Sequence, residues 1–235
     1  MFNILHTGTK QKRSAIVKLL SDFNSRLEES EKSQSDRERV MNVRVKWMES
    51  AIIVATALKE KCVLRFDFVK GLREKVKSDM FPWKTIRDQV SLLTPLSRRM
   101  DSDFQKMLNK SSEVEEWISR TREEISSDIS DTKYVFSELQ QVQIEASGCD
   151  LSDHDLKLLN EKHGMQLRAE LLLERYKIIS NQLDKFGKKM GRLNKMTNEI
   201  RISNAKEVSS LRVVSSKLMV MESSNSSTSS ITLYE

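Results

Sequence analysis

A stretch of 66 residues without proline, from Leu156 to Met221, constrains the fold of this chain more than any other feature. Its apolar residues recur mostly at gaps of three or four residues, which is the period of one face of an α-helix. Such a helix would be about 100 Å long at ~1.5 Å per residue. Because one helix of that length cannot bury its own stripe, other helices have to cover it. The stripe comprises Leu156, Leu159, Leu167, Leu171, Ile178, Ile179, Leu183, Phe186, Met190, Leu193, Met196, Ile200, Val208, Leu211, Val214, Leu218 and Met221.

The composition agrees with a small number of long helices. Charged residues make up 31% of the chain, aromatic residues 6%, and there are only six glycines and two prolines to form turns. Few turns and many charged residues are typical of helices that each have a narrow apolar stripe. We therefore predict an all-α fold, an elongated antiparallel bundle or coiled coil of three long helices with a short N-terminal helix in front.

Local signals set the predicted boundaries. Ser35 and Glu38 have capping-box spacing, which indicates a helix start after a polar stretch. The pair Thr94-Pro95 predicts a break within the helix that begins near residue 83, because proline is favoured at the first position of a helix. The predicted organisation is a flexible N-terminus at 1–13, a short amphipathic helix at 14–32, long helices at about 36–79, 83–147 with a break near 95, and 152–221, and a disordered Ser-rich tail at 222–235.

The helix predicted at 36–79 has apolar residues whose spacing averages close to 3.6, which favours a straight or gently curved helix over a strict heptad supercoil. Within it, the stretch from Ala51 to Leu58 is apolar almost all round. That pattern is typical of a helix that is covered on more than one side. The predicted seam is Val40, Val43, Trp47, Ala51, Val54, Leu58, Cys62, Phe66, Val69, Leu72 and Val76.

The formal charge of +6 is unevenly distributed. Residues 59–77 contain seven basic and three acidic residues, 101–131 contain four basic and nine acidic, and 180–206 contain seven basic and two acidic. An acidic middle helix between two basic helices would help to set their register. The alternative is contact with an anionic surface, for which the candidates are Lys185, Lys188, Lys189, Arg192 and Lys195.

The shortness of the apolar segments and the spacing of the cysteines favour a reducing compartment. Residues 1–5 are too short for the apolar region of a secretory signal, and the longest nearly unbroken apolar run, Ala51 to Leu58, is too short to cross a bilayer. Cys62 and Cys149 form no C-x-x-C motif. We expect a cytoplasmic protein that is neither secreted nor membrane-spanning, with the nucleus or a membrane periphery as alternatives.

No motif indicates chemistry. His154 and His163 are nine residues apart without a completing ligand, and the segment 150–161 has Asp155 where a calcium loop needs glycine. The glycines never cluster as a phosphate loop. We therefore expect no enzymatic activity, no catalytic residue, no metal and no cofactor.

The function that this pattern favours is a non-catalytic coiled-coil scaffold or adaptor subunit of a multi-protein assembly, forming homo- or hetero-oligomers. Partner proteins would bind apolar helix seams, above all the end of the last helix, where we expect the fewest intramolecular partners, and a tryptophan beside a corner. The alternative is a membrane-surface module of the crescent-dimer (BAR-like) type. Nucleic-acid binding is disfavoured, because no aromatic or arginine constellation of a known module is present. The predicted partner-binding residues are Val208, Leu211, Val214, Leu218, Met221 and Trp83.

Overall fold

A computed structural model describes residues 2–77, 83–144 and 152–229, with the side chains of residues 10–77, 83–144 and 152–224. Three α-helices form the regular structure of these ranges: α1 (Phe2–Lys75), α2 (Trp83–Gln141) and α3 (Asp153–Ser229). No strand occurs within the same ranges. The predicted all-α class is therefore confirmed.

The chain divides into two compact units, each with segments of all three helices. Unit 1 contains Met1–Val45 and Glu116–Gly187, and unit 2 contains Lys46–Glu115 and Lys188–Glu235. Each unit is a three-helix bundle in which α2 runs antiparallel to α1 and α3, while α1 and α3 run parallel. Residue numbers rise together in the α1–α3 pairs Arg13–Asp155 and Glu38–Arg175 of unit 1 and Lys59–Glu199 and Arg65–Glu207 of unit 2. They change in opposite directions in the pairs with α2, which are Arg26–Tyr134 and Arg37–Asp128 in unit 1 and Asn194–Glu115 and Asn204–Ser97 in unit 2.

Buried side chains recur every seven residues in all three helices. In α3 the gaps between buried residues alternate strictly between four and three from Met165 to Leu218. One buried position repeats every seven residues from Leu20 to Val69 in α1 and again at Val76 just after it, and another from Val90 to Leu139 in α2. The predicted spacing of 3.6 for α1 is therefore wrong for its buried face, which follows a period of 3.5. The two sets are Leu20, Leu27, Gln34, Met41, Met48, Ala55, Cys62, Val69 and Val76, and Val90, Ser97, Phe104, Ser111, Ile118, Ile125, Thr132 and Leu139.

The predicted short N-terminal helix at 14–32 is not a separate element. A single helix, α1, runs from Phe2 to Lys75, so it also includes most of the predicted flexible segment 1–13 and the predicted start at Ser35. The Ser35 hydroxyl donates to the Glu31 carbonyl oxygen at 2.9 Å, as in a helix interior, and Gln34 occupies a buried position of the seven-residue series. The polar stretch continues the helix because α2 and α3 cover its buried face on both sides of Gln34.

The predicted break near residue 95 is also wrong, since Pro95 lies inside α2. The Thr94 hydroxyl does not cap a helix start but donates to the Val90 carbonyl oxygen at 2.8 Å, one turn back. Val90 and Ser97, on either side of Pro95, are both buried. The amide that proline lacks would have bonded the carbonyl of Ser91, which is exposed and open to water. Packing on both sides thus carries the helix through the proline.

The remaining boundaries differ from the prediction by a few residues. Residues 222–229 of the predicted disordered tail belong to α3, where the Ser223 and Ser224 hydroxyls donate to the carbonyls of Met219 and Val220. The connections predicted at 80–82 and 148–151, the latter with Cys149, lie outside the described residues, as do residues 230–235.

The first half of the predicted α3 stripe is displaced around the helix. Leu156, Leu159, Leu167, Leu171 and Ile178 are exposed, whereas Leu158, Leu172 and Ile179 are buried. The sequence offers more apolar residues in this region than one face can bury. The seven-residue series decides which of them enter the core.

Candidate partner-binding surface

The predicted partner-binding residues of α3 lie mostly in the core of unit 2. Leu211, Val214 and Leu218 are buried in one cluster with Val69, Leu72, Val76, Ile86 and Val90. Val208 and Met221 are half-buried. The expectation that this segment has the fewest intramolecular partners is therefore wrong, because α1 and α2 both cover it.

Trp83 begins α2 and stays partly exposed. The guanidinium of Arg87, one turn later, lies 5.6 Å from the centre of its ring, within the range of a cation–π contact. The Arg87 guanidinium also donates to Glu222 at 2.6 Å. Trp83 is the one aromatic residue of the predicted set, and it is 37% exposed.

A second series, apolar except for Lys61, runs along the solvent side of α1 in unit 2. We call it the outer seam; it consists of Val54, Ala57, Lys61, Leu64, Phe68 and Gly71. The gaps alternate between three and four, as they do in the buried series, yet all six residues are exposed. Leu64 is 71% exposed and Phe68 is 46% exposed, and Ile53 borders the seam with 71% exposure. A Cβ placed on Gly71 would meet no other atom within 4 Å, so the seam is open there.

Two leucines of α2 lie at the level of the outer seam. The hydrogen bond of 2.5 Å from Arg65 to Ser97 brings the two helices together at this point, and Leu64 and Leu96 are the residues just before them. Leu96 is half exposed and Leu92, one turn earlier, is more so. The sequence contained the signal for this surface, since Ala51–Leu58 is apolar almost all round. The predicted seam follows mainly the buried series and shares only Val54 with the outer seam.

A buried polar cluster lies beneath the outer seam. We call it the polar layer; it consists of Arg65, Ser97, Asn204 and Glu207. The fully buried Glu207 Oε1 accepts from Arg65 Nη2 at 2.5 Å and from the Ser97 hydroxyl at 2.7 Å, and Asn204 Nδ2 donates to the Ser97 carbonyl at 3.1 Å. All three helices of unit 2 therefore meet in one polar contact. Arg65 Nε, Glu207 Oε2 and Asn204 Oδ1 have no partner among the side chains that the structure describes.

Cys62 lies one turn from Arg65 in α1 and is buried. Burial raises the pKa of its thiol, the negative charge of Glu207 raises it further, and the positive charge of Arg65 lowers it. The thiol is therefore protonated at neutral pH and a poor nucleophile. Its position supports a packing role.

The five basic candidates for an anionic surface do not form one group. Lys185 belongs to unit 1, and Lys188, Lys189, Arg192 and Lys195 belong to unit 2, all of them exposed. Lys189 lies 3.8 Å from Glu49 of α1. Unit 2 as a whole contains 22 basic and 14 acidic residues, against 18 and 20 in unit 1. The positive charge of the chain therefore comes from unit 2.

The described part of the chain contains no group of three or more His, Cys, Asp or Glu side chains that could hold a metal ion. Within the same residues, no helix has the combination of length and apolar character that crossing a membrane requires. No known protein family matches the sequence, and neither a curated protein nor a solved structure shows significant similarity to it.

Proposed function

We propose that this chain is a non-catalytic coiled-coil scaffold or adaptor subunit that binds a helix of another protein through the outer seam. The single observation behind this proposal is that α1 has two series with alternating gaps of three and four residues in unit 2, and α2 and α3 cover only one of them.

The seven-residue burial pattern supports the coiled-coil part of the proposal. A period of 3.5 keeps the contact side of each helix facing its neighbours only if the helices supercoil with a left hand. Strict alternation over the 54 residues from Met165 to Leu218 is more regular than ridges-into-grooves packing requires.

The outer seam has the properties of an incomplete helix interface. Val54 to Gly71 spans about 26 Å at ~1.5 Å per residue, enough for nearly five turns of a partner helix. Exposed apolar residues at single positions are ordinary on protein surfaces, whereas the outer seam is a regular series, with the exposed Leu92 and Leu96 of α2 near the level at which Arg65 meets Ser97. A helix with its own apolar stripe would cover this seam as a fourth strand of the bundle.

A second copy of this chain fits the outer seam poorly. Parallel pairing in register would place Lys61 against Lys61 inside the new interface. Antiparallel pairing about the middle of the seam would place Lys61 of one copy opposite Leu64 of the other. Neither arrangement puts a carboxylate opposite Lys61, so the proposed occupant is a helix of a different protein with a carboxylate at that point.

The polar layer supports a role in fixing the alignment of the helices. A buried ion pair with unpaired atoms stabilises less than apolar packing would, but it penalises shifted alignments, in which Glu207 would lose its partners. A fixed alignment keeps Leu64, next to Arg65, level with Leu96, next to Ser97. The apolar surface offered to the partner would then have one defined shape.

Affinity capture with matched variants tests this function. The full chain is immobilised as wild type, Leu64→Asp or Leu171→Asp and exposed to lysate of the cells that express it. Leu64 and Leu171 are exposed to nearly the same extent, 71% and 67%, but Leu171 lies on α3 in unit 1, outside the seam. We expect at least one protein to be retained by wild type and Leu171→Asp and depleted at least about tenfold on Leu64→Asp. Circular dichroism has to show equal helix content in the three baits. If every retained protein binds Leu64→Asp as well as wild type, or if no protein is retained, the proposal is wrong.

A membrane-surface module is the second candidate function, favoured by the basic excess of unit 2. Lys188, Arg192 and Lys195 are exposed and have no ion pair among the described residues. Basic side chains near an anionic leaflet contribute about 1 kcal/mol each. Sedimentation with phosphatidylserine vesicles at physiological salt separates the candidates: binding that falls in a Lys188→Glu, Arg192→Glu, Lys195→Glu variant supports the membrane function, and failure to sediment removes it.

A further inference from the structure

A cavity of about 330 Å³ lies between α2 and α3 in unit 2, on a different side from the outer seam. Val208, Leu211 and Met219 form its apolar part, and Arg98 and Arg212 contribute two guanidinium groups. This volume is at the lower end of the range for small-molecule sites, about 300–1,000 Å³. The combination of an apolar wall and two cations limits the class of molecule that would fit.

The two arginines are available to a ligand. Both are exposed, and neither has an ion pair or hydrogen bond with any residue that the structure describes. Two other arginines of unit 2 do have carboxylate partners on α3, Arg65 with Glu207 and Arg87 with Glu222. No carboxylate lines the cavity, and the hydroxyl of Ser97, which does line it, is engaged with the buried Glu207 at 2.7 Å and the Leu93 carbonyl oxygen at 3.2 Å.

The hydroxyl groups of the cavity contribute unequally. Thr94 donates to the Val90 carbonyl oxygen at 2.8 Å, and Ser216 donates to the Arg212 carbonyl oxygen at 3.0 Å. Ser215 has no hydrogen-bonded partner within the described part of the chain, so its hydroxyl is free to donate. Two guanidinium groups and one hydroxyl provide donors for several oxygens of a single anion, an arrangement that suits phosphate.

We propose that this cavity binds a phosphate monoester with a short apolar group, the phosphate pairing with Arg98 and Arg212 and the apolar group packing against Val208 and Met219. A soluble organic phosphate and a lipid headgroup share this chemistry. The proposal does not depend on the outer seam, because neither arginine nor the apolar wall belongs to it.

Titration of the full chain with hexyl phosphate and with inorganic phosphate, followed by calorimetry, tests the site. We expect hexyl phosphate to bind more tightly than inorganic phosphate, and Arg98→Gln with Arg212→Gln to weaken binding at least about tenfold. Arg99→Gln is the matched control, since Arg99 is exposed beside Arg98 but does not line the cavity. Met219→Ala should weaken hexyl phosphate more than inorganic phosphate, because it removes apolar contact without adding a charge.

Vesicles of phosphatidic acid in phosphatidylcholine distinguish the source of the phosphate. Sedimentation that is lost in the double arginine variant and kept in Arg99→Gln assigns the site to a lipid headgroup, and calorimetric binding without sedimentation assigns it to a soluble ligand. Absence of binding in both assays would overturn the proposal. So would binding that the double variant leaves unchanged, or equal affinity for the two phosphates.

Discussion

The two units differ in how they use charge. In unit 1 the arginines of α3 join helices at the margin of the core: Arg168 donates to both oxygens of Glu31 at 2.9 Å and to Asn24 at 2.6 Å, and Arg175 donates to Glu38 at 3.1 and 3.2 Å. Hydrogen bonding to Glu31 raises the pKa of Arg168, opposed by its partial burial. Unit 1 also buries one carboxylate, that of Asp155, which is 1% exposed and accepts from Arg13 at 2.8 Å. In unit 2 the fully buried Glu207 accepts from both of the other helices, through Arg65 and Ser97. Unit 2 also has the basic excess that unit 1 lacks.

The two units therefore differ in which of their side chains remain available to other molecules. In unit 1, charged side chains pair with each other between its own helices, and the numbers of acidic and basic residues are nearly equal. Unit 2 leaves basic side chains and a regular apolar series in solvent. The basic excess and the outer seam are therefore features of unit 2, where both proposed binding surfaces lie, while the exposed apolar residues of α3 in unit 1, such as Leu167 and Leu171, have no basic excess beside them.

The largest expected contrast between the units comes from removing one carboxylate in each. Glu207→Ala leaves the Arg65 guanidinium, 19% exposed, without its buried partner. We expect a loss of about 3 kcal/mol in the free energy of unfolding, at the lower end for buried pairs because Arg65 has some access to water. Glu38→Ala removes a pair in which both side chains are more than a third exposed, and should cost less than about 1 kcal/mol. Urea denaturation of both variants measures the difference.

A double variant controls for this result. Arg65→Met with Glu207→Met removes both charges and should recover most of the lost stability, as replacement of buried ion pairs by apolar residues often does. Equal losses for Glu207→Ala and Glu38→Ala would show that the polar layer is no more critical than a marginal ion pair.

The second prediction tests which residues of α3 enter the core of unit 1. Leu172→Ala removes a side chain that is 1% exposed and should cost about 3 kcal/mol, through lost burial and the cavity left behind. Leu171→Ala, one residue earlier and exposed, should change the free energy of unfolding by less than about 0.5 kcal/mol. Thermal or urea unfolding compares them directly, and similar losses would contradict the seven-residue assignment.

These two leucines show what was predictable from the sequence. Helix type followed from apolar periodicity and the shortage of turn residues, and the starts of α2 and α3 were predicted within one residue. The phase of each buried face did not follow, because α1 and α3 have two apolar stripes and only packing selects between Leu171 and Leu172, or between Val54 and Ala55. Local signals at Ser35 and Pro95 also failed, since long-range packing outweighs a capping preference of about 1 kcal/mol.

The site was predictable only in part. The all-round apolar character of Ala51–Leu58 indicated that α1 has more to cover than one face, and the structure locates the uncovered part. Glu207 and Arg65 lie 142 residues apart, so no local pattern relates them. A charged residue at a position of the apolar series, such as Glu207 between Ile200 and Val214, is the only sequence signal for the polar layer.

Alkaline pH should affect both units, beginning with unit 2. Burial, followed by the charge of Glu207, raises the pKa of Cys62 above its ordinary value of 9.0. Burial, followed by the charge of Asp128, raises that of Tyr176 in unit 1 above 10.0. The unfolded chain therefore releases each proton at lower pH than the folded chain, so stability is full below these values and falls as pH rises through them. Urea denaturation from pH 8 to 11, a range about these ordinary values, should show a shallower decline for Cys62→Ala just above pH 9 and for Tyr176→Phe above pH 10. Unchanged slopes in both variants would contradict the assignment.

The smallest expected effects come from glycines inside α3, where the two units should behave alike. A Cβ on Gly164 in unit 1 or Gly191 in unit 2 would meet no other atom within 4 Å, so alanine at either position should stabilise the chain by about 1 kcal/mol through helix propensity. Gly187 differs, because its Cβ would lie 3.2 Å from Arg122 Nη2, which donates to Asp184 at 2.8 Å. Gly187→Ala should therefore gain less than the other two, by the cost of displacing that guanidinium. Urea denaturation ranks the three variants. If Gly191→Ala raises the free energy of unfolding more than Gly164→Ala does, the backbone of α3 is less rigid in unit 2 than in unit 1, and the units differ in more than their charges.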